Sequence, residues 1–360
     1  MIERIVVEGF KRFERQSLEL RPLTVFAGRN GTGKTSAIHA LLLVRQAVLR
    51  ADSIVELNGP FGMELGWFED IVNINTSSNV FSIGLDSAAL TGAVWRFSEG
   101  DTELYAKVDA PENPPIVFSE AKARGFQYLS AERIGPRVTQ HSSALPKEML
   151  EVGYIGQHVA QVLEKLGSAV VDDERLEGNT DNALKLVKAQ TEAWISRIVR
   201  DVELDTTSFP GTDVVSLRFR TPGGEFVRPT NMGFGVSYCL PIIVAALTAA
   251  DGGLLIVENP EAHLHPYGQS EMGVFLAQMA KAGLQVLVET HSDHVLNGIR
   301  RAIGEAKLLP STNAIVHFFP DEHEVRALEF TPTGGVNDWP SGFFDQYKLD
   351  VARLTRVRRS

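Results

Sequence analysis

Residues 23–50 read LTVFAGRNGTGKTSAIHALLLVRQAVLR: a short apolar run, a glycine-rich turn, then apolar residues at helical spacing. The turn, residues 28–36, fits the pattern G-x-x-x-x-G-K-[ST], with a strand predicted before it and a helix after it. Such turns bind phosphates because their glycines let backbone N–H groups point inward and the helix start adds a positive dipole end. The stretch therefore predicts the phosphate-binding loop of an α/β nucleotide-binding domain.

The residues of this loop have separate expected roles. The glycines allow backbone conformations that bring phosphate oxygens close to N–H groups. Lys34 can reach the β- and γ-phosphates of ATP, and the Thr35 hydroxyl can ligate Mg²⁺. ATP and Mg²⁺ are thus the expected cofactors. The predicted cofactor-binding residues of the loop are Gly28, Arg29, Asn30, Gly31, Thr32, Gly33, Lys34, Thr35 and Ser36.

A second motif, LLIVENPEAHLHP at residues 254–266, predicts a buried strand that delivers acids to its end. Glu258 is the expected magnesium acid. The next position commonly holds a glutamate that acts as general base, but here it is Asn259, which orients water without accepting a proton. Glu261 is close enough in a tight turn to be an alternative base. A salt-bridge or capping role at the next helix is an equally good interpretation of Glu261.

The sequence THSDH follows a second wholly apolar strand. A histidine at a strand end beside a γ-phosphate can hydrogen-bond to it and report its presence. Considered together with the two preceding motifs, this position makes His291 the candidate sensor and a predicted catalytic residue.

The stretch NMGFGVSYCLP, residues 231–241, places two glycines and a serine just before an apolar helix. This arrangement suits a second anion-binding helix start. Gly233, Gly235 and Ser237 are the candidate phosphate contacts there, and a flexible helix cap is the alternative.

The order of apolar segments predicts one α/β ATPase domain with a β-rich insertion and a helical insertion. The last third is β-α-β with two wholly apolar strands, as expected of a sheet covered on both faces. The expected parts are an N-terminal lobe with the phosphate loop (1–65), a β-rich lobe (66–135), a helical insertion (145–205), a C-terminal lobe with the remaining motifs (206–320) and a small terminal segment (321–360).

The formal net charge of −10 argues against a protein whose main task is coating nucleic acid. Contact with nucleic acid would need a local basic patch, and solvated surface is the default interpretation of each candidate. No apolar stretch reaches membrane-spanning length, so we expect no membrane contact, and the single cysteine suits a reducing cytoplasm. The candidate patches are Lys11 with Arg12 and Arg15, Arg300 with Arg301, and the tail RLTRVRRS.

Taken together, these motifs resemble the ABC-type ATPase head of the SMC/RecF/OLD group. More narrowly, the chain resembles bacterial OLD-like AAA ATPases that end in a small domain of unknown function. The narrower similarity is carried by EGFKRF, LSAERIGPR, NMGFGVS, ENPEAHLHP, ETHSDHVLNGIR and DWPSGFFDQ. The resemblance implies a homodimer with two ATP molecules between its subunits. Gly235 and Ser237 would then contact the γ-phosphate held by Lys34 of the other chain.

The resemblance also implies roles for residues outside these motifs. Lys11 and Arg12 stand where related heads use a basic residue near the adenine or the α-phosphate. LSAERIGPR stands where such heads carry a glutamine that senses magnesium and water. Glu132 would replace that glutamine and Arg133 would touch phosphate, although residues 130–137 could equally be a structural turn.

Three departures from the group narrow the function. The chain has no transporter-type LSGGQ, no long heptad run for an SMC arm, and no acidic clusters of the TOPRIM nuclease that OLD and Gabija-type proteins carry. The leading hypothesis is an ATP-dependent dimeric switch with slow hydrolysis that works with a separate effector, a nuclease or toxin. A role in antiphage defence is what the family resemblance implies. A DNA-repair or chromosome-maintenance head that binds DNA ends, and a scaffold that binds ATP without turnover, are the alternatives.

Overall fold

The computed structural model describes residues 1–50, 53–88, 90–178, 184–320 and 324–357. Within these residues lie fifteen strands and eight α-helices. The strands are β1 (Ile2–Phe10), β2 (Phe13–Glu19), β3 (Leu23–Gly28), β4 (Ile54–Glu56), β5 (Val80–Ser87), β6 (Leu90–Glu99), β7 (Tyr105–Asp109), β8 (Phe126–Leu129), β9 (Thr139–His141), β10 (Glu203–Ser208), β11 (Val214–Arg220), β12 (Leu254–Glu258), β13 (Gln285–Thr290), β14 (Ala314–Phe319) and β15 (Arg326–Glu329). The helices are α1 (Lys34–Leu49), α2 (Phe68–Ile71), α3 (Val159–Leu166), α4 (Val187–Ile198), α5 (Phe234–Thr248), α6 (Pro266–Lys281), α7 (Asp293–Gly304) and α8 (Gln346–Val357).

The central sheet has six strands in the order β15-β14-β3-β13-β12-β8. All neighbouring pairs are parallel except β14 and β15. Every residue of β12, β13 and β14 is buried, as the wholly apolar runs predict for a sheet covered on both faces. The strand that leads into the phosphate loop, β3, therefore lies between β14 and β13, and β12 is one strand further away.

Alternate side chains of this sheet enter two different hydrophobic clusters. Leu255 and Val257 of β12 pack in one cluster with α5, α6 and α7, whereas Leu254 and Ile256 pack in the other with α1. This alternation follows from the two-residue period of a strand. The sheet is consequently fixed from both faces, which holds the ends of β3, β12 and β13 in a defined relation.

A second, antiparallel sheet has the order β2-β1-β5-β6-β7-β4. The structure groups the strands differently from the expected lobes, because β1 and β2 join this β-rich sheet. In contrast, β8, expected within the β-rich lobe, belongs to the central sheet, where it pairs in parallel with β12. All four residues of β8 are buried, and the sequence alone gives no sign of this long-range pairing.

The segment expected as a helical insertion contains α3 and α4 and ends in β10, which forms a three-stranded sheet in the order β10-β11-β9. Trp194 of α4 meets Phe275 of α6 edge-on, with ring centroids 4.9 Å apart, so the segment packs on a helix that covers the central sheet. None of the described helices is both long and apolar enough to cross a membrane. The last three residues of the basic tail, 358–360, lie outside the described residues.

Candidate nucleotide-binding site

The phosphate loop connects β3 to α1, and two of its glycines are required by their surroundings. Gly33 caps α1 with a φ of 92°, and a Cβ there would collide with the side chain of Arg12. Gly28 has a φ of 148°, and a Cβ there would collide with the carbonyl oxygen of Phe319 on β14. The neighbouring strand and Arg12 thus hold the loop in the conformation that glycine permits.

Lys34, the first residue of α1, is buried below this loop. Its Nζ donates hydrogen bonds of 3.1 Å to the carbonyl of Gly28 and 2.6 Å to that of Arg29. The adjoining cavity has a volume of about 310 Å³. It is lined by Asn30, Gly31, Thr32, Gly33, Lys34, Thr35, Ser36, Ala131, Glu258, Asn259, Glu289 and His291. A helix start, an ammonium group, a hydroxyl and carboxylates in one cavity fit a phosphate chain with a hard cation.

The structure adds a residue that the sequence analysis did not select. Glu289, near the end of β13, is only 5% exposed, and both of its carboxylate oxygens lie 3.0 Å from the Thr35 hydroxyl that donates to them. Its Oε1 lies 3.8 Å from Nζ of Lys34. Burial, reinforced by the charge of Glu258, raises the pKa of Glu289 to about 7. An acid near the end of a wholly apolar strand is the same signal that singled out Glu258, so the sequence contained a clue to it.

Glu258 lies at the end of β12, as predicted, and borders the cavity. Its Oε1 accepts a 2.9 Å hydrogen bond from the Tyr128 hydroxyl, and its Oε2 accepts a 3.2 Å bond from the backbone N–H of Ala131. Burial raises the pKa of Glu258. The residue is the register partner of Glu289 on the adjacent strand, so two acids stand side by side facing the loop.

Asn259 and Glu261 occupy the turn after β12. Asn259 has a φ of 43°, and its backbone N–H donates to the carbonyl of Glu289. Its Oδ1 is buried and accepts no hydrogen bond from the described residues. The two oxygens of Glu261 each accept a 2.8 Å bond, one from the Thr290 hydroxyl and one from the N–H of His291. These bonds hold Glu261 against the loop after β13, and they are neither the salt bridge nor the cap of the next helix that the sequence analysis considered.

His291 follows β13 and lines the cavity, so the structure brings it to the phosphate loop. Burial, followed by the charge of Lys34, lowers the pKa of His291, although a hydrogen bond to the backbone of Gly28 opposes this effect. The imidazole is therefore neutral at pH 7. A neutral ring donates through one nitrogen only, so a γ-phosphate contact would use the N–H that otherwise bonds to the backbone of Gly28.

Arg133 does not have the environment expected for a phosphate contact. It is 3% exposed, and its guanidinium donates 2.6 Å bonds to the carbonyls of Glu258 and Asn259 and a 2.9 Å bond to that of Ser130. Because these bonds use its guanidinium N–H groups, Arg133 holds the backbone at the end of β12, and it does not line the nucleotide cavity. Glu132 is exposed and borders a larger cavity of about 980 Å³ that shares Ala131 and Glu258 with the nucleotide cavity.

The glycine-rich motif before α5 also differs from the expectation at one residue. Gly233 caps the helix and is exposed, and Gly235 is half-buried near the same end. The hydroxyl of Ser237 is instead buried, and it has no hydrogen-bond partner within the described residues. Ser237 lies about one turn into α5 on the face that packs inward, so its hydroxyl is not presented to a phosphate outside the chain.

Arg12 contacts the phosphate loop, as its predicted position near the nucleotide requires, and Lys11 contacts α1. The guanidinium of Arg12 donates to the carbonyl of Thr32 and, at 3.3 Å, to that of Pro320. Nζ of Lys11 lies 3.1 Å from Nδ1 of His39 on α1. Arg12 therefore stands at the edge of the loop and Lys11 beside α1, through contacts that the sequence could not specify.

Part of the positive charge considered for nucleic-acid contact is used within the chain. Arg301 binds Glu271 at 2.9 Å and Glu305 at 3.3 Å. Arg300 donates to the carbonyl of Gly334 at 2.7 Å. The two acids reduce the positive field that Arg301 offers to a phosphate backbone, and the carbonyl bond occupies one N–H group of Arg300.

Within the described residues, no group of three or more His, Cys, Asp or Glu side chains is placed to hold a metal ion. A magnesium site at a phosphate loop needs fewer protein ligands, because phosphate oxygens and water supply the remainder. Thr35 and one neighbouring carboxylate are the groups that fit such a site.

One curated relative and two solved structures are similar to this chain over most of its length. An OLD nuclease from Thermus scotoductus (strain ATCC 700910 / SA-01) is 23% identical over 326 residues, covering 81% of this chain and 59% of the relative. The chain thus spans less than two thirds of that curated relative. An Smc head bound to the C-winged helix domain of ScpA matches with a TM-score of 0.58 at 11% identity, covering 91% of this chain and 97% of that one.

A Pyrococcus furiosus Smc head, with an extended coiled coil and bound to the C-terminal domain of ScpA, matches with a TM-score of 0.54 at 11% identity over 99% of both chains. These structures confirm the predicted α/β fold of an ABC-type ATPase head. Family models match residues 4–80 ("AAA domain") and 309–354 ("Protein of unknown function (DUF3696)"). A third, "AAA domain, putative AbiEii toxin, Type IV TA system", matches residues 112–297. Because this third model spans more than half of the chain, the chain belongs to that AAA family; its sequence is similar to an OLD nuclease and its fold to that of Smc heads.

Proposed function

We propose that this chain binds ATP with Mg²⁺, hydrolyses it slowly, and acts as a dimeric switch on a separate effector protein. The observation that carries the proposal is one cavity in which Lys34 and Thr35 face the acidic ends of β12 and β13. His291 borders the same cavity. A phosphate cradle, a metal-binding hydroxyl, carboxylates and a neutral histidine together are what phosphoryl transfer to water requires.

Each group has an assigned task in this proposal. Lys34 and the N–H groups at the start of α1 bind the phosphates, and Thr35 with Glu258 holds Mg²⁺. Bound Mg²⁺ neutralises phosphate charge and aligns the reacting oxygens. Asn259 orients the attacking water, and His291 donates a hydrogen bond to the γ-phosphate.

Slow turnover is expected because the candidate base, Glu261, is already hydrogen-bonded within the chain. Asn259 cannot accept a proton. Glu261 can, but its two oxygens already accept hydrogen bonds from Thr290 and His291. Proton transfer to Glu261 must therefore compete with bonds that hold the turn, which favours a switch over a fast motor.

Dimerisation in this proposal uses the start of α5, where Gly233 is exposed and Gly235 is half-buried. Their backbone N–H groups, rather than the buried hydroxyl of Ser237, would meet the γ-phosphate of the partner. The test is the molecular mass of the purified chain in solution, by light scattering, with and without Mg·ATP. We expect ATP to double the mass of the Glu261→Gln variant and to leave Lys34→Ala monomeric; a monomer in every case would overturn the dimer.

The effector part draws support from the family description, which names a toxin, and from the relative named a nuclease. It is tested by co-purifying the products of neighbouring genes with this chain, with and without ATP. A nuclease or toxin that is retained only in one nucleotide state supports the switch. Recombination proteins in place of such an effector would favour the repair alternative, and no ATP-sensitive partner would overturn this part.

A further inference from the structure

The carboxylates around the nucleotide cavity are not equivalent. Glu258 is bonded to Tyr128 and Ala131, on the side of the cavity away from α1. Glu261 is bonded to the loop after β13. Glu289, in contrast, contacts the phosphate loop itself, because both of its oxygens accept from the Thr35 hydroxyl.

The order of strands explains this difference. β13 pairs directly with β3, and Glu289 is the register partner of Phe26, two residues before Gly28. β12 lies one strand further away, on the other side of β13. Neighbouring strands are about 4.8 Å apart, so a side chain from β12 must reach roughly twice as far to the loop as one from β13.

In the contact with Glu289 the Thr35 hydroxyl is the donor, and this direction suits a cation site. A hydroxyl that donates its proton to a carboxylate turns its oxygen lone pairs away from that carboxylate, where they can ligate a cation. The buried Glu289 carboxylate supplies the negative charge that a hard divalent cation prefers. Lys34 lies 3.8 Å away, and its ammonium also bonds two loop carbonyls, so it balances the charge only in part.

We infer that Glu289 is a further magnesium-site residue, which orients the Thr35 hydroxyl toward Mg²⁺ and holds the ion through a water molecule. The inference rests on the proposed function, because it places a second acid at the metal of the same ATP site. Under this inference β13 also supplies a carboxylate to the magnesium site, whereas the sequence indicated one only at the end of β12.

The test is isothermal titration of the non-hydrolysable analogue AMP-PNP into wild type and Glu289→Gln, in Mg²⁺ and in EDTA. We expect Mg²⁺ to tighten binding to wild type, and Glu289→Gln to lose about tenfold or more of that gain. Binding in EDTA should be unchanged or tighter, because a buried negative charge near the phosphates is removed. Glu192→Gln is the matched control, since Glu192 is a half-buried acid on α4 whose carboxylate accepts from the N–H of Leu204.

The outcomes separate this inference from the proposed function. A full magnesium effect in Glu289→Gln, or a loss confined to Glu258→Gln, would overturn the role of Glu289. Wild type that binds AMP-PNP equally well in Mg²⁺ and EDTA would also overturn it while leaving nucleotide binding intact. Wild type that binds nucleotide in neither condition would refute the proposed function itself. If Glu289→Gln does not fold, Glu289→Asp, which keeps the charge on a shorter side chain, should show a smaller loss of the magnesium effect.

Discussion

The carboxylate of Glu261 accepts a 2.8 Å hydrogen bond from the backbone N–H of His291. Its other oxygen accepts from the Thr290 hydroxyl at the same distance. The turn after β12 is thereby joined by hydrogen bonds to the loop after β13, so the candidate base is in direct contact with the candidate γ-phosphate sensor. If His291 shifts when the γ-phosphate leaves, its hydrogen bond to Glu261 would shift the turn that carries Asn259.

Substitution of Glu261 by glutamine should slow hydrolysis and leave ATP binding intact. The amide keeps one acceptor oxygen, but its NH₂ group cannot accept the second hydrogen bond, which should cost about 1 kcal/mol of folding free energy. Phosphate release and urea unfolding measure the two effects. Unchanged turnover would exclude Glu261 as the base and transfer that role to Glu258 or to a residue across the dimer.

Arg133→Lys should destabilise the fold, because lysine cannot reproduce three guanidinium bonds to the carbonyls of Ser130, Glu258 and Asn259. We expect a loss on the order of 3 kcal/mol in chemical unfolding. Arg137→Ala, at an exposed position four residues along, is the control and should be nearly neutral. A variant of Arg133 with wild-type stability but weak ATP binding would instead support the phosphate contact expected from the resemblance.

The sequence predicts those parts of the site that lie in one continuous motif, and it does not predict those that depend on tertiary packing. The phosphate loop and the apolar strands before Glu258 and His291 are continuous patterns, and the structure brings them to one cavity. Glu289 was missed because its importance depends on β13 lying next to β3, and strand order is a tertiary property. The spacing of Ser237 likewise suggested a phosphate contact, but only the packing of α5 reveals that this hydroxyl points inward.

For the fold as well, the sequence predicts individual strands and helices but not the pairing of strands that are distant in the chain. Apolar periodicity predicts the strands and helices of the last third. The pairing of β8 with β12, which moves residues 126–129 out of the β-rich lobe, could not be foreseen, since it joins segments more than 120 positions apart. The burial of Arg133 depends on the same pairing, because it follows β8 in the chain.

Glu271 on α6 should make the stability of the chain sensitive to acid. Burial opposes its ionisation, but hydrogen bonds from Arg197 at 2.6 Å and Arg301 at 2.9 Å outweigh burial and lower its pKa below the ordinary value of 4.5. A depressed carboxyl pKa stabilises the folded state above pH 4.5, and this contribution is lost as the pH falls below it.

Glu271→Gln should therefore cost about 3 kcal/mol at pH 7, because it leaves two arginines without their buried partner. The difference in unfolding free energy between this variant and wild type should become smaller as the pH falls below 4.5. Glu305→Gln removes the second acidic partner of Arg301, which is 73% exposed, and should change stability little. Equal pH dependence of Glu271→Gln and wild type in thermal unfolding would refute the assignment.

The most direct measurement of magnesium-dependent, slow ATP turnover is phosphate release by the purified chain in Mg²⁺ and in EDTA, beside Lys34→Ala. Lys34 is the buried cation of the phosphate loop, so its removal should abolish ATP binding or turnover. We expect slow release by wild type that requires Mg²⁺ and none above background by Lys34→Ala. Release that persists in Lys34→Ala or in EDTA, or wild type that neither binds nor hydrolyses ATP, would contradict the proposed function.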